Sequence, residues 1–232
     1  MRTVSEKKTL IRAVVFDYGN VLSFHHLPSD VEAMAQVCGI TVERFTPPYW
    51  ELRMAYDRAD LDRTSYWTGV AGSDGRVLSS QQIDELVAID SQGWSRINPA
   101  AMQWVERIRR AGFRLALLSN MPAEISRYLA ANCEWPALFD HLIFSCDVHS
   151  AKPEPAIYRT CLEQLQTPPQ EVLFFDDRQE NVEGAAALGI HGVLFDTLER
   201  TVGRVAGQFE IPLPVGVEAT GRILSEPLLG ES

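Results

Sequence analysis

The stretch that decides the fold is IRAVVFDYGN, residues 11–20. Its first six residues are mostly apolar and β-branched, a composition typical of a buried strand. The run then ends abruptly in DYGN, a cluster of turn-forming residues. We therefore predict a strand over 11–16 that places the carboxylate of Asp17 directly after its carboxyl end.

Similar short apolar runs recur downstream and alternate with helical patterns. The further predicted strands are 113–118, 141–144, 172–175 and 191–195, and the predicted helices between them are 99–111, 155–165 and 181–188. Asn98 and Pro99 are an N-cap and a first-turn proline, and Gly112 and Gly189 follow helix ends. Strands that alternate with helices indicate right-handed crossovers. We therefore predict an α/β fold with a Rossmann-like parallel sheet.

Residues 23–97 lack strand patterns and carry helix signals instead. Two capping boxes and two stop glycines mark helix ends there: Ser29 with Glu32, Ser79 with Gln82, and Gly39 and Gly93. We interpret the many aromatic residues of this segment as the core of a small helical unit; they are Phe45, Tyr49, Trp50, Tyr56, Tyr66, Trp67 and Trp94. The segment is thus predicted to be a helical insert between the first strand and the rest of the sheet.

Composition narrows the function classes. The chain has 232 residues, 46% of them hydrophobic and 22% charged, and a net charge of −10. An acidic surface disfavours broad contact with nucleic acid or anionic membrane, which needs clustered basic residues. Four scattered cysteines without a CxxC pair, and a polar stretch over residues 1–10, are expected of a cytoplasmic protein.

Polar residues follow four of the predicted strands. In an open parallel sheet, ligands bind beyond the carboxyl ends of the strands, so these residues are the candidates for chemistry. They are Asp17, Gly19 and Asn20, then Ser119 and Asn120, then Lys152, and finally Asp176 and Asp177. The chain has only three lysines, and Lys152 is the one outside the N-terminal stretch.

These residue types suit magnesium-dependent phosphoryl transfer. Three carboxylates at one edge would repel one another and a phosphate unless a divalent cation lay among them, and Mg²⁺ prefers oxygen ligands. Asp17 would then attack phosphorus and form an aspartyl-phosphate. Lys152 would neutralise the remaining charge, while Ser119 and Asn120 would donate hydrogen bonds to the phosphate oxygens.

Four motifs in this order resemble the haloacid dehalogenase superfamily. They are FDYGNVL at 16–22, LSN at 118–120, KPEPAIY at 152–158 and FFDDRQEN at 174–181. The first motif is similar to that of bacterial sugar-phosphate phosphatases with D-x-G-N-V. The resemblance implies that Asp17 and Asp177 are side-chain metal ligands, that Gly19 gives a backbone carbonyl to the metal, and that Asp176 is a ligand or supports one.

The resemblance also implies a division of the chain and a substrate class. Residues 1–22 and 98–206 would form the hydrolase core, and 23–97 a helical cap of the family's first type. The prolines and glycines beyond Gly207 separately predict an extended tail over 207–232. The expected partner is a small phosphorylated metabolite, with a sugar phosphate as the subgroup's example. The sequence does not indicate the oligomeric state.

One departure from the family pattern leaves alternatives open. Most phosphatases of the family carry a second Asp two residues after the nucleophile, as general acid and base, where this chain has Gly19. A substitute from the insert, with His25 and His26 nearest, would restore the function. Otherwise the substrate has a good leaving group, or the protein is a weakly catalytic or non-catalytic binder of phosphorylated ligands. A metal-independent 2-haloacid dehalogenase ranks lower because it leaves Asp176 and Asp177 unexplained.

Overall fold

The structure is a computed structural model, and it describes residues 9–72 and 77–214. Its strands are β1 (Ala13–Phe16), β2 (Arg114–Ser119), β3 (His141–Phe144), β4 (Val172–Asp176) and β5 (His191–Leu194). Its helices are α1 (Pro28–Cys38), α2 (Val42–Glu51), α3 (Arg53–Asp57), α4 (Arg63–Ala71), α5 (Ser80–Trp94), α6 (Pro99–Arg110), α7 (Ala123–Asn132), α8 (Ser145–Val148), α9 (Pro155–Leu165), α10 (Gln179–Ala186) and α11 (Leu198–Val205). The predictions for residues 1–8 and for the tail beyond 214 lie outside the described residues.

The strands form one parallel sheet in the order β3-β2-β1-β4-β5. The central strand β1 pairs with β2 and β4, in a register that sets Phe16 beside Leu117 and Phe175. The chain order reverses direction across the sheet at β1, and such a switch point opens a crevice at the carboxyl ends of the strands. The predicted Rossmann-like α/β fold is confirmed.

Alternate strand residues face two separate apolar layers. Phe16, Leu117 and Phe175 lie in the layer that packs on α6, α7 and α11. Val15 and Phe174 lie in the opposite layer, against α9 and α10. Because both faces are covered, the strands are apolar throughout and leave polar groups to the residues at their ends.

The observed helix ends in the insert show which of the predicted capping boxes and stop glycines are correct. The capping box of Ser79 and Gln82 is confirmed, and Gly39 ends α1 in the left-handed conformation as predicted. The box at Ser29 is wrong because Pro28 starts the helix earlier, and the N–H of the preceding residue donates to Asp30. The stop at Gly93 is wrong as well. Helix α5 runs on to Trp94, and the hydrogen-only side chain of Gly93 leaves room for His26, which a Cβ would approach to 2.2 Å.

Helices α1–α5 share an apolar cluster that is distinct from the two layers of the sheet. Five of the seven aromatic residues predicted to form the core of the insert lie in it; they are Phe45, Tyr49, Tyr56, Tyr66 and Trp67. The other two do not. Trp94 packs with the layer on β1, and Trp50 is 49% exposed. The division of the chain into domains stays a prediction.

The described residues after α11, 206–214, pack along one layer of the sheet. Phe209 and Ile211 are buried in the layer with α6, and Phe209 forms a bridge to Thr9. The indole Nε1 of Trp104 donates to the carbonyl of Pro212 at 2.7 Å. None of the helices in 9–72 or 77–214 combines the length and apolar character that crossing a membrane requires.

Candidate active site

Three carboxylates meet at the carboxyl ends of β1 and β4. Oxygen atoms of Asp17, Asp176 and Asp177 all lie within 4.8 Å of one another. The N–H of Asp17 still donates to the carbonyl of Phe175, at 2.8 Å, so sheet pairing continues one residue past β1. This pairing brings the first carboxylate to the other two, although 159 positions separate Asp17 from Asp176 in the sequence.

A buried ammonium lies between two of these carboxylates. Lys152 is 1% exposed, and its Nζ lies 2.7 Å from Asp17 Oδ1 and 2.7 Å from Asp176 Oδ2. The side chain of Asn120 accepts from the N–H of Lys152 at 2.8 Å and donates to its carbonyl at 2.9 Å. Asn120 thus holds the lysine backbone in place. Its amide is engaged there, so the predicted contact to phosphate from this residue would use its backbone N–H.

Each carboxylate is oriented by a different set of donors. Asp176 accepts from the side chain of Asn181 at 2.9 Å and from the N–H of Arg178 at 2.9 Å. Asp17 accepts from its neighbour's N–H as well as from Lys152. In the part of the chain that the structure describes, Asn20 is the one side chain that donates to Asp177, at 2.7 Å. Asn20 adopts the left-handed conformation, with φ of 57°.

Burial dominates the electrostatics of the site. It raises the pKa of Asp17 to about 7, although Lys152 opposes this shift, and Asp176 adds to it. Burial also raises the pKa of Asp177, against the hydrogen bond from Asn20. For Lys152, burial favours the neutral amine, but Asp17 and Asp176 outweigh it and raise the pKa. The site therefore holds more negative charge than its one ammonium offsets.

The carboxylates open into a cavity of about 380 Å³ between the sheet and the helical insert. Of the predicted site residues, Asp17, Gly19, Ser119, Asn120, Lys152 and Asp177 line it, and Asp176 lies behind Lys152. The insert contributes the opposite wall, with His25, Trp50, Arg53, Met54, Asp57 and Trp94. The structure thus brings all of the predicted residues together, while the roles assigned to them stay predictions.

An indole borders the position where the family pattern has a second Asp. A Cβ built on Gly19 would lie 3.5 Å from Cζ3 of Trp94. His25 and His26, the two histidines considered as substitutes for the missing general acid, occupy different environments. His25 lines the cavity, whereas the Nε2 of His26 lies 3.1 Å from the carboxylate of Asp90, within the insert. Of the two, His25 alone is placed to reach a bound ligand.

A second buried ionic cluster lies in the insert, and it was not predicted from the sequence. Arg53 donates to Asp57 at 2.6 Å and to Asp90 at 3.2 Å. Tyr49 donates to Asp90 at 2.7 Å and accepts from Arg53 at 2.7 Å. We call Tyr49, Arg53, Asp57 and Asp90 the arginine cluster. Arg53 and Asp57 also line the cavity, and their i, i+4 spacing is the one local feature that could have suggested a pair.

Contacts from α3 and the residue after it fasten the insert to the sheet side. Tyr56 donates to Glu124 at 3.0 Å, and Ser145 donates to the carbonyl of Asp57 at 2.6 Å. Arg58 donates to Glu154 at 2.7 Å. The wall that the insert forms is therefore fixed next to the carboxylates in this conformation.

The match to known proteins agrees with these observations. A family model described as a haloacid dehalogenase-like hydrolase matches residues 11–189, from the first strand to the glycine after α10. The chain belongs to this hydrolase family. Residues that match the model therefore include the three carboxylates, Lys152 and the whole insert.

Two relatives differ in how much of them the chain covers. Phosphatase MT3486 of Mycobacterium tuberculosis is 29% identical over 196 residues, covering 82% of this chain and 90% of the relative. Acyl-CoA dehydrogenase family member 10 of mouse is 27% identical over 238 residues, covering 90% of this chain but 20% of the relative. The chain thus spans about a fifth of that mouse protein.

Solved structures of the family share the fold. A family enzyme of Bacteroides thetaiotaomicron, in complex with magnesium and inorganic phosphate, superposes with a TM-score of 0.64 at 20% identity. The match covers 78% of this chain and 91% of that enzyme. At this identity the likeness supports the architecture described above and not a shared substrate.

Proposed function

We propose that this hydrolase is a magnesium-dependent phosphatase that cleaves a small phosphomonoester through an aspartyl-phosphate on Asp17. The observation that carries the proposal is the cluster of three carboxylates around one buried ammonium, facing a cavity. Its excess negative charge suits a divalent cation. The names of relatives such as Phosphatase MT3486 support the same reaction.

The donor set fits Mg²⁺. Three carboxylates offer oxygen atoms, the ligand type that Mg²⁺ takes, within 4.8 Å of one another. Burial is the main cause of the raised pKa of Asp17, and the neighbouring carboxylates add to it. A divalent cation would offset the charge of these carboxylates. Asp17, Asp177 and the backbone carbonyl of Gly19 would hold the ion, with Asp176 as a ligand or as a support of Lys152. Bound there, Mg²⁺ supplies charge that neutralises and orients a phosphate.

The residues of the chain account for the steps of phosphoryl transfer. A carboxylate oxygen of Asp17 attacks phosphorus, and the bond from phosphorus to the leaving oxygen breaks. Lys152 stabilises charge on the phosphoryl oxygens, while Ser119 and the backbone of Asn120 donate hydrogen bonds to them. Water then hydrolyses the aspartyl-phosphate and restores Asp17. His25, which lines the cavity, is the candidate for moving a proton to the leaving oxygen.

Two alternatives are weaker on specific grounds. A metal-independent dehalogenase would need Asp17, but this reaction would not explain why Asp177 lies at the site with a hydrogen bond from Asn20. A non-catalytic binder of phosphorylated ligands would use the same cavity and the same ammonium. Turnover distinguishes the binder from the phosphatase, because a binder releases no phosphate.

The test measures phosphate release from acetyl phosphate and p-nitrophenyl phosphate, with Mg²⁺ and with EDTA, for the wild-type protein and Asp17→Asn. We expect activity that needs Mg²⁺ and falls at least about 10³-fold in the variant, since the nucleophile is removed. The matched control is Asp84→Asn, which removes an exposed carboxylate of the insert and should keep wild-type activity. Equal turnover in EDTA, or retained turnover in Asp17→Asn, would refute the proposal.

A further inference from the structure

We propose that the organic part of the substrate is apolar, an alkyl or aryl group rather than a sugar. This inference rests on the proposed function, because the phosphate must lie at the carboxylates for its leaving group to reach the opposite wall. It replaces the sugar phosphate that the resemblance of the first motif implied. The evidence is the chemistry of the cavity wall beyond the phosphate site.

Five of the side chains that line the cavity are indole, thioether or aliphatic groups. Trp50, Met54 and Trp94 come from the insert, and Met121 and Ile125 come from the segment after β2. We call these five residues the apolar wall. Sugar sites need several uncommitted donors and acceptors in addition to aromatic surface, because each buried hydroxyl that lacks a partner weakens binding.

Arg53 and Tyr18 line the cavity and are committed to other groups of the protein, whereas the indole N–H of Trp94 has no hydrogen-bond partner among the described residues. Arg53 donates to Asp57, Tyr49 and Asp90, so its charge is already balanced. Tyr18 also lines the cavity, but its hydroxyl donates to the carbonyl of Trp94 at 2.7 Å. A sugar would have to break these buried bonds to gain its own, whereas an apolar group leaves them intact.

The exposure of Trp50 points to a ligand that covers it. The five aromatic residues in the apolar cluster of the insert are at most 3% exposed, while Trp50, which lines the cavity, is 49% exposed. The ring of His25 stands beside it, with centroids 6.5 Å apart, and lies 6.0 Å from the ring of Trp94. The rings of Trp50, His25 and Trp94 thus form a continuous aromatic surface that an apolar leaving group would bury.

The first experiment varies the apolar length at constant leaving-group chemistry. It measures kcat/KM, with Mg²⁺, for ethyl, butyl and hexyl phosphate, and for glycerol 3-phosphate and glucose 6-phosphate, all of them primary alkyl esters. We expect kcat/KM to rise about fourfold for each methylene that the wall buries, and to exceed tenfold from ethyl to hexyl. A rise below tenfold, or faster cleavage of the polyol esters than of hexyl phosphate, would overturn the inference.

A pair of matched variants assigns the effect to the wall. Trp50→Ser removes the exposed indole, and Phe24→Ser removes a ring that is 50% exposed but does not line the cavity. The hexyl-to-ethyl ratio should fall at least about fivefold in Trp50→Ser and stay at the wild-type value in Phe24→Ser. Equal ratios in all three proteins would show that the wall does not contact the leaving group.

Two further measurements separate this inference from the proposed function. Acetyl phosphate tests phosphate transfer without an apolar chain, so activity on it combined with a flat alkyl series refutes the inference alone. Calorimetric binding of ethylphosphonate and hexylphosphonate, with Mg²⁺, tests the wall without turnover. Tighter binding of the hexyl compound by more than tenfold supports an apolar leaving group even if hydrolysis proves slow, and equal binding refutes it.

Discussion

Two buried cations of this protein each lie between carboxylates, one in the sheet and one in the insert. Lys152 contacts Asp17 and Asp176, and a third carboxylate lies beside them. Arg53 contacts Asp57 and Asp90, but Tyr49 also donates to this group. The pKa of Asp17 is raised to about 7, mainly by burial, whereas at Asp90 the bonds from Arg53 and His26 overcome burial and lower the pKa.

The two sites differ in how well their cations and hydrogen-bond donors offset the charge of the carboxylates. In the arginine cluster, Arg53, Tyr49 and His26 all contact Asp90, and its pKa is lowered, although burial raises the pKa of Asp57. The cluster thus stabilises one arrangement of the insert. At Lys152, three carboxylates carry more negative charge than the one ammonium offsets. A divalent metal ion would supply the missing positive charge.

The first prediction concerns the arginine cluster. Arg53→Met leaves the buried carboxylates Asp57 and Asp90 without their cation, so the free energy of unfolding should fall by about 3–5 kcal/mol. Urea unfolding followed by tryptophan fluorescence measures it. Arg63→Met, which breaks an exposed pair with Asp84, is the control and should change stability by about 0–1 kcal/mol. Equal effects of the two variants would mean that the cluster does not hold the insert together.

The second prediction concerns metal at the Lys152 site. Mg²⁺ at about 100 times its Kd should add about 2.7 kcal/mol to the free energy of unfolding of the wild-type protein, and EDTA should remove it. Asp177→Asn should lose most of this gain, while Arg53→Met should keep it, because the arginine cluster does not contact the site carboxylates. Thermal denaturation with and without Mg²⁺ reports both. A gain that is equal in wild type and Asp177→Asn would contradict the assigned ligands.

The third prediction concerns Asn20, whose amide orients Asp177. Asn20→Gly keeps the left-handed backbone, which glycine adopts readily, but removes the donor. The Kd for Mg²⁺ should rise about 10- to 100-fold, as expected when a partner of a metal ligand is lost. Ala59→Gly, at another left-handed position with φ of 62°, should leave the Kd within twofold of wild type. Calorimetric titration measures the Kd for Mg²⁺. An unchanged Kd in Asn20→Gly would show that Asn20 does not orient Asp177 for metal binding.

The fourth prediction concerns the exposed ion pair of Arg204 and Asp196, which should contribute little to stability. Hydrogen bonds from Arg204 lower the pKa of Asp196 to about 2, against a usual value of 3.8. Because the folded-state pKa is lower, the stability that this pair contributes is present above pH 4 and is lost as the pH falls towards 2. Arg204→Gln should therefore reduce unfolding free energy by at most about 1 kcal/mol at pH 7, and by less at pH 3. A deficit that grows on acidification would contradict this assignment.

The sequence predicted the sheet and its edge well because both follow from local signals. Apolar β-branched runs mark buried strands, and turn residues such as Asp17 and Asp176 mark their ends. Once the sheet is parallel, residues after neighbouring strands must meet. The arginine cluster was out of reach for the opposite reason, since Arg53 and Asp90 are 37 positions apart in a segment whose helix packing no local pattern specifies.

Two residues show where local reading failed. Trp50 belongs to the same aromatic-rich stretch as Tyr49, but adjacent positions on a helix point in different directions, so one is buried and the other faces the cavity. Gly93 carries a helix-stop signal, yet it serves close packing against His26. In both cases the tertiary neighbour, and not the local propensity, decides what the residue does.

The entry and exit of the insert lie side by side. The N–H of Asn98 donates to the carbonyl of Leu22 at 2.7 Å, and the N–H of Phe24 donates to the carbonyl of Arg96 at 2.8 Å. A segment whose two ends touch occupies no fixed span on the sheet, so its length can change at a loop-closure cost that grows slowly with size. The insert can therefore change in length and sequence during selection for a new substrate without changing the sheet. The carboxylates and Lys152 would keep their geometry throughout, because none of them lies within the insert.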